Sequence, residues 1–480
     1  MNIDGASFQF VAFGLAAALV SNFSRSPVWR SAVLLLVSLV FLGLLAQTPI
    51  LFLPLFGFLL LGYAGIILLE RGWSKSAVWS ILTVVFVFIW LKKYTFLPER
   101  IFLHSPYFTL GLSYIFFRVL HLIIDGKDGE LPHRLGLVSF LNYTLNFTTL
   151  VSGPIQLYQD FAMTHLAPER PPLTIFTIGR AIERIAIGYF KVEVLSMMFS
   201  SIQTHAIAAL SLSQPLSWRI FTGAVIAAVY PVYLYCNFSG YIDIVIGIAA
   251  LMRFTLPENF NRPFSSDNFL NFWSRWHITL SNWFKVYFYN PVLMALMRRF
   301  PSPAIEPFLA VIAFFMTFFL LGIWHGQTSV FAFYGIVLAF GVSINKLYQI
   351  VMTKKLGRKT YKALSGQVIY NACARGLTYT YYSFCMLWFW SNWSQLSGFL
   401  RQLKAPALAG VWLVIFVTAT VILSAWEFLR AWLLDLQWTG APVLESRYTR
   451  TVYVTFAVVM TAAVIKLVNA PPPQIVYKGF

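Results

Sequence analysis

Charged side chains are scarce in this 480-residue chain: they account for 11% of it, with 17 acids against 35 bases. Soluble domains carry about a quarter, so there is too little charge here to cover a water-facing surface of this length. Cysteine is almost missing as well. Cys236, Cys373 and Cys385 make no CxxC pair and lie in or beside apolar runs, which leaves no basis for a disulfide framework or a thiolate metal centre. HExxH, GxSxG, GxxxxGKS/T and a GxGxxG following a strand are also absent. Metalloprotease, serine-hydrolase, NTPase and dinucleotide chemistry therefore have no support. No polar block is long enough to fold as a second globule, no repeat of about 20–50 residues is visible, and low complexity is confined to Pro471–Pro473. The first residues, MNIDGASFQF, hold Asp4 but no basic segment, and no small-residue cleavage site follows. The first apolar run is expected to stay in place.

What the chain does hold is apolar length. Hydrophobic residues make up 59% of it and aromatics 18%. Crossing ~30 Å of hydrocarbon takes about 20 mostly apolar residues. Candidate runs lie near 7–23, 31–46, 50–69, 77–97, 103–124, 135–151, 173–200, 217–238, 240–252, 306–324, 328–349, 376–395, 408–435 and 451–469. Several are short or polar. The reading is an all-α polytopic membrane protein, one domain over residues 1–480, with about 11–13 transmembrane or re-entrant helices. The formal charge of +18 does not point to nucleic acid, because the basic residues sit in short connections, where they set orientation against the bilayer. Lys346 to Arg375 holds Lys346, Lys354, Lys355, Arg358, Lys359, Lys362 and Arg375 and no acid. By the positive-inside rule this stretch is cytoplasmic, which puts His325, before the preceding helix, away from that side. Asp4 before the first helix and Arg25 and Arg30 after it suggest an external N-terminus, an alternation that Lys92 and Lys93 fit poorly.

A titratable group at membrane depth is costly to keep and reads as part of a site by default. Of the seven histidines, His104, His121, His133, His165 and His205 fall near predicted helix ends or in loops, where a solvated or capping role is expected. The other two follow tryptophans. In GIWHG, His325 is either a buried histidine hydrogen-bonded between helices or a proton acceptor in a protein-lined cavity. Its flanking Gly322 and Gly326 allow a backbone break or a close approach, and an imidazole in such a place suits proton abstraction near neutral pH. His277 lies in a segment, 253–299, that interleaves Arg253, Arg262, Arg275, Lys285, Arg298 and Arg299 with aromatics. At helical spacing Phe269, Trp273, Trp276, His277, Leu280, Trp283, Phe284 and Tyr287 share one face. That predicts an amphipathic helix on the membrane surface or dipping into a cavity, with His277 either an interfacial anchor or a site residue. Asp243, a carboxylate inside an apolar run, is expected to form an ion pair with an arginine such as Arg253 or Arg275. Gly153-Pro154 breaks a helix, at a cavity mouth or a simple turn.

Six segments follow one another as GLSYIFFRVLHLIID (111–125), LVSGPIQLYQDF (150–161), FSGYIDIVIG (238–247), LPENFNRPF (256–264), FWSRWHITLSNWF (272–284) and LGIWHG (321–326). Together they resemble the membrane-bound O-acyltransferase family, in its bacterial branch of alginate O-acetylation proteins and D-alanyl transferases of teichoic acid. The resemblance implies a multi-helix fold enclosing a central tunnel, with its motif-bearing core at about 105–350. In such a tunnel an acyl thioester donor from the cytoplasm, acetyl-CoA or an acyl carrier protein, meets a hydroxyl from the other side. It implies His325 as the essential catalytic residue and His277 as a second one that supports transfer or donor binding. Trp324, Trp276, Asn261, Arg275, Ser239 and Asp243 are then expected to line the tunnel or support the site, with no metal and no bound cofactor. The implied acyl group is short, acetyl ahead of D-alanyl. The implied acceptor is an extracytoplasmic polysaccharide or a periplasmic or extracellular acyltransferase partner, and the implied location is the cell (inner, cytoplasmic) membrane. A transporter or channel with a histidine proton relay is the alternative, although the paired repeats typical of transporters are not visible; acylation of a lipid or a protein also stays open.

Overall fold

The structure is a computed structural model that describes residues 7–45, 48–73, 75–132, 134–167, 170–438, 441–468 and 474–476. Asp4, His133 and Pro471–Pro473 lie outside them. Helices carry the fold, and a two-residue antiparallel pair, Gln437–Trp438 with Ala441–Pro442, is the one sheet among the described residues. Among the described residues, eight helices are long and apolar enough to cross a bilayer, and Phe8–Asn22 and Ser76–Lys92 are shorter apolar helices. The protein is a multi-pass membrane protein. The expected count of about 11–13 is higher for local reasons. The runs at 217–238 and 240–252 join in one helix, Leu216–Leu251, which continues through Pro231, a residue that membrane helices tolerate. The run at 135–151 yields only Leu137–Thr144 before the backbone turns irregular. In Trp393–Asp435 and Arg447–Val468 only 22% and 11% of the apolar window is buried, so lipid must cover exposed side chains such as Val417, Ile422 and Phe428.

The chain divides into two compact units, the first made of Met1–Val192, Asn237–Glu258 and Gln474–Phe480. Its centre is the helix Leu112–Asp128, buried nearly all round. Arg118, His121 and Asp125 recur along it at helical spacing and are all buried. They meet the irregular, buried chain after Thr144, whose carbonyls have no helical partner and no access to water. Arg118 supplies what is missing: Nη1 donates to Thr144 O at 2.9 Å and Nη2 to Thr149 O at 2.6 Å. Ser38 Oγ accepts from Phe147 N–H at 3.1 Å. Gly153 sits in a tight turn, where a Cβ would collide with Thr149.

His121 and His165 depart from the solvated or capping role expected of them. His121 is fully buried, with Nδ1 3.0 Å from Asp125 Oδ2 and Nε2 2.8 Å from the Tyr143 hydroxyl. His165, also buried, stacks on Phe161 at 5.0 Å and meets the edge of Phe254 at 5.8 Å. His104 and His205 are exposed, as expected. Lys92, awkward for topology as a loop charge, is buried and donates to Ser113 Oγ at 2.8 Å. Lys93 lies 4.5 Å from the centre of the Tyr107 ring, so both amines serve internal contacts.

The second unit comprises Glu193–Cys236 and Asn259–Pro473. Glu306–Trp324 and Ser329–Leu356 pack together over most of their contact length. They meet glycine to glycine, since a Cβ on Gly322 would run into the Gly335 backbone, the close approach that small residues permit in lipid. Val368–Trp390 packs on Ser329–Leu356 and on Trp393–Asp435. The basic stretch forms an exposed short helix, Arg358–Ser365, carrying Arg358, Lys359 and Lys362. The single amphipathic helix expected around His277 is instead broken. Phe269–Trp273 ends at Ser274, and Ile278–Phe284 restarts after His277. The predicted apolar side is still mainly the buried side: Phe269, Trp273, Trp276, His277, Leu280, Trp283 and Phe284 are buried, and Tyr287 is half-buried.

Removing the Arg118 guanidinium leaves two buried carbonyls without donors, each worth about 1–3 kcal/mol. Arg118→Met is expected to lower the thermal midpoint of the detergent-solubilised protein sharply, measured by loss of the monodisperse peak on heating. Lys93→Ala, which removes only a cation–π contact, should shift it little.

Candidate active site

His277 is held where a helix begins. Its backbone is left-handed, at φ 45° and ψ 51°, a conformation uncommon for a side chain with a Cβ and one that clusters at functional sites. The restraint comes from LPENF, which runs antiparallel to it. Asn261 N–H donates to Arg275 O at 2.9 Å, Phe260 bridges to Trp276, and Ile278 N–H donates to Asn259 O at 3.0 Å. Between these bonds the Asn259 side chain, fully buried, reaches the start of the second helix. Thr279 donates to Asn259 Oδ1 from N–H at 3.1 Å and from Oγ1 at 2.9 Å, and His277 Nδ1 lies 3.3 Å from the same oxygen.

These contacts determine a tautomer. A backbone N–H can only donate, so the Asn259 atom facing Thr279 must be the oxygen, and His277 Nδ1 must carry the hydrogen that points at it. The unprotonated ring nitrogen of neutral His277 is then Nε2. Trp276 beside it is 1% exposed and wedged among aromatics, with ring centroids 5.1 Å from Phe260, 5.7 Å from Phe272 and 5.2 Å from Tyr382.

His325 reaches the same state by another route. It caps the C-terminus of Glu306–Trp324, and its Nδ1 lies 2.6 Å from Leu321 O. A carbonyl only accepts, so Nδ1 again holds the proton and Nε2 is the basic atom. The ring is 1% exposed and walled by Trp324 at 4.9 Å, Tyr334 at 5.7 Å and Phe389 at 5.5 Å. Gly326 packs against the Phe331 ring, which leaves no room for a Cβ. The two glycines around His325 thus serve close approach, and neither has a positive φ.

The helix Val368–Trp390 connects the two surroundings. Tyr382, against Trp276, and Phe389, against His325, lie two turns apart on one of its faces. The imidazoles also sense each other. His277, in the connection between spanning helices, has its pKa held well below the usual histidine value, by burial first and by His325 second. Helix ends divide the two further: His325 stands at a helix C-terminus, which favours a positive charge, and His277 at an N-terminus, which disfavours one. Chemically, the pair offers two buried imidazoles, one at a helix C-terminus and one at a helix N-terminus.

The remaining expected residues divide. Arg275 is half-buried and Asn261 is exposed. Both enter the site through their backbones, in the bond that aligns LPENF with His277. Ser239 and Asp243 belong to the first unit. Ser239 is buried, and its hydroxyl has no hydrogen-bond partner among the described residues. Asp243 does form ion pairs, but with Arg184 at 3.0 Å and Lys191 at 2.6 Å in place of Arg253 or Arg275. Arg253 instead donates to Pro171 O at 2.8 Å. The sequence reading missed Asn259, Tyr334, Tyr382 and Phe389. Asn259 had only a weak signal: it lies two residues before Asn261 in the stretch between Pro257 and Pro263, where period two would put both on one face, yet Asn259 is buried and Asn261 exposed.

A model of the membrane-bound O-acyltransferase family matches residues 75–384, more than half of the chain, both histidines included. The teichoic acid D-alanyltransferase of Bacillus subtilis (strain 168) is 30% identical over 235 residues, 48% of this chain and 58% of that protein. The teichoic acid D-alanyltransferase of Streptococcus thermophilus is 32% identical over 239 residues, 49% of this chain and 56% of its own length. The probable alginate O-acetylase AlgI of Azotobacter vinelandii is 26% identical over 344 residues, 69% of this chain and 63% of that protein. The matched stretch spans less than two thirds of each of these relatives.

Burial that keeps a histidine neutral makes folding sensitive to acid. With the folded pKa below the unfolded value, the unfolded chain binds more protons, so stability is complete above about pH 6.5 and falls as the pH drops below it. His277 is one such group, and His165, pushed down to about 3 by burial and then by Arg170 and Arg30, is another. The thermal midpoint is expected to fall between pH 7.5 and 5, and the double variant His277→Gln, His165→Gln should lose much of that slope. An unchanged slope would contradict neutral burial of these rings.

Proposed function

Since the chain belongs to the membrane-bound O-acyltransferase family, we propose that it is an O-acyltransferase that passes a short acyl group from a thioester donor to a hydroxyl acceptor. The observation that carries the reading is the Leu321 carbonyl on His325 Nδ1, which leaves Nε2 as the proton acceptor inside a dry aromatic enclosure. In the proposed reaction His325 Nε2 takes the proton from the acceptor hydroxyl as its oxygen bonds to the thioester carbonyl carbon. The carbon–sulfur bond then breaks, and the departing thiolate recovers that proton as a thiol. The imidazolium that exists in between is favoured by the helix C-terminus behind it.

His277 supports this step without accepting the proton. Its neutral ring and its left-handed turn hold Asn259, whose Nδ2 is buried and has no hydrogen-bond partner among the described residues. That amide is a donor available to the developing oxyanion, the kind of group whose removal costs about 10²–10³ in kcat. Burial of both histidines keeps water from competing as acceptor. Acetyl and D-alanyl are the acyl groups considered, in keeping with the names of the relatives, and the donor is acetyl-CoA or an acyl carrier protein. The exposed basic helix Arg358–Ser365 marks the cytoplasmic side, where the donor enters through a central tunnel. The acceptor, a polysaccharide of the cell envelope or a second acyltransferase, approaches from the far side of the inner membrane.

The test is transfer by the full-length protein in liposomes, using radiolabelled acetyl and D-alanyl thioesters and envelope polysaccharide. His325→Ala should reduce product by about 10²–10⁴-fold while leaving membrane insertion intact, and full transfer by that variant would end the reading. Asn259→Asp keeps the acceptor for Thr279 and His277 but removes the amide donor. It should lower kcat far more than KM. Passage of unmodified solute across the liposomes, with no acylated product, would favour a transporter.

A further inference from the structure

A cavity in the first unit is remote from either histidine in sequence. It has a volume of about 760 Å³ and lies between the helices Leu53–Glu70 and Ser76–Lys92, beside their connection. Leu61, Ala64, Gly65 and Leu68 line it from one helix, and Ser76, Trp79, Ser80 and Thr83 from the other, each set at one-face helical spacing. The volume falls in the range of small-molecule sites, about 300–1,000 Å³. Small residues on both walls keep it open, and its length, about 14 Å of helix from Leu61 to Glu70, reaches roughly halfway through a hydrocarbon layer.

The polar groups are graded along this length. At the mouth stands Lys75, exposed, with Trp73 and Trp79, 65% and 72% exposed, and the exposed Arg71 lies just before Gly72 in the same connection. The neighbouring acid, Glu70, forms no ion pair with either base among the described residues, and its Oε1 accepts the Leu135 N–H at 2.8 Å. Deeper in, among the described residues, no side-chain hydrogen bond engages the hydroxyls of Ser80 and Thr83. Below them the walls are apolar. A cationic mouth between two amphipathic rings, then hydroxyls, then hydrocarbon repeats the layering of a phospholipid: headgroup, glycerol esters, acyl chain.

We propose that this groove is a binding site for a membrane phospholipid with an anionic headgroup. The phosphate and headgroup lie against Arg71 and Lys75, the ester oxygens accept from Ser80 and Thr83, and one acyl chain fills the space above Ala64 and Gly65. The site is independent of the proposed acyl transfer.

The experiment uses the full-length protein in phosphatidylcholine nanodiscs containing a small fraction of phosphatidylglycerol with a photoactivatable acyl chain, and crosslinks are mapped by mass spectrometry. A matched probe on phosphatidylcholine is the comparison. The phosphatidylglycerol probe should label residues 61–83 several-fold more than the phosphatidylcholine probe. The exposed double variant Arg71→Glu, Lys75→Glu should abolish that preference, and Ala64→Trp, which fills the groove from an exposed position, should suppress labelling by both probes. Equal labelling of the wild type by the two probes would overturn the proposal, as would labelling that survives Ala64→Trp.

Discussion

Where a helix stops inside lipid, its backbone polar groups must find partners within the protein, because hydrocarbon supplies none. The architecture around both histidine surroundings follows from that constraint. In the first unit the chain after Thr144 is irregular and buried, and a buried arginine is the device that makes it tolerable. In the second unit the break at His277 is closed by an extended strand-like segment, whose backbone pairs with residues 275–278 and whose asparagine receives three donors. Breaks between helices are thus the places where buried polar side chains accumulate.

The same constraint separates two otherwise similar imidazoles. Each has its Nδ1 hydrogen committed, one to an amide oxygen and one to the last-turn carbonyl of a helix, so each exposes the same basic atom. What differs is the helix end beneath the ring. A C-terminus supports a charge gained by His325, whereas an N-terminus, full burial and the neighbouring ring all oppose one on His277. The two buried rings thus sit in different electrostatic surroundings although their hydrogen bonds are alike.

Much of this was legible before folding. Scarce charge and long apolar runs identify a membrane protein, and the lipid cost of a titratable group singles out the two tryptophan-flanked histidines. The buried face of 269–284 was also correct, because apolar periodicity survives a break that changes the backbone by only a few residues. Other features were out of reach. His121 and His165 looked like loop or end residues, yet both are buried, because the partners that bury them are distant in sequence: Tyr143 for one and Phe254 for the other. Asn259 and Asn261 lie two apart in one extended stretch, where period two puts both on one face, so alternation could not tell the buried asparagine from the exposed one.

The sequence by itself determined the solvent, the helical class and the residue types able to move a proton, since each depends on composition or on local spacing. Only the tertiary structure decided that Asn259 and not Asn261 holds His277, that Asp243 pairs with Arg184 and Lys191, and that Tyr382 and Phe389 wall the two rings. Those contacts depend on which segments lie side by side. Local periodicity can assign a residue to a face, but the opposing surface comes from chain tens to more than a hundred residues away.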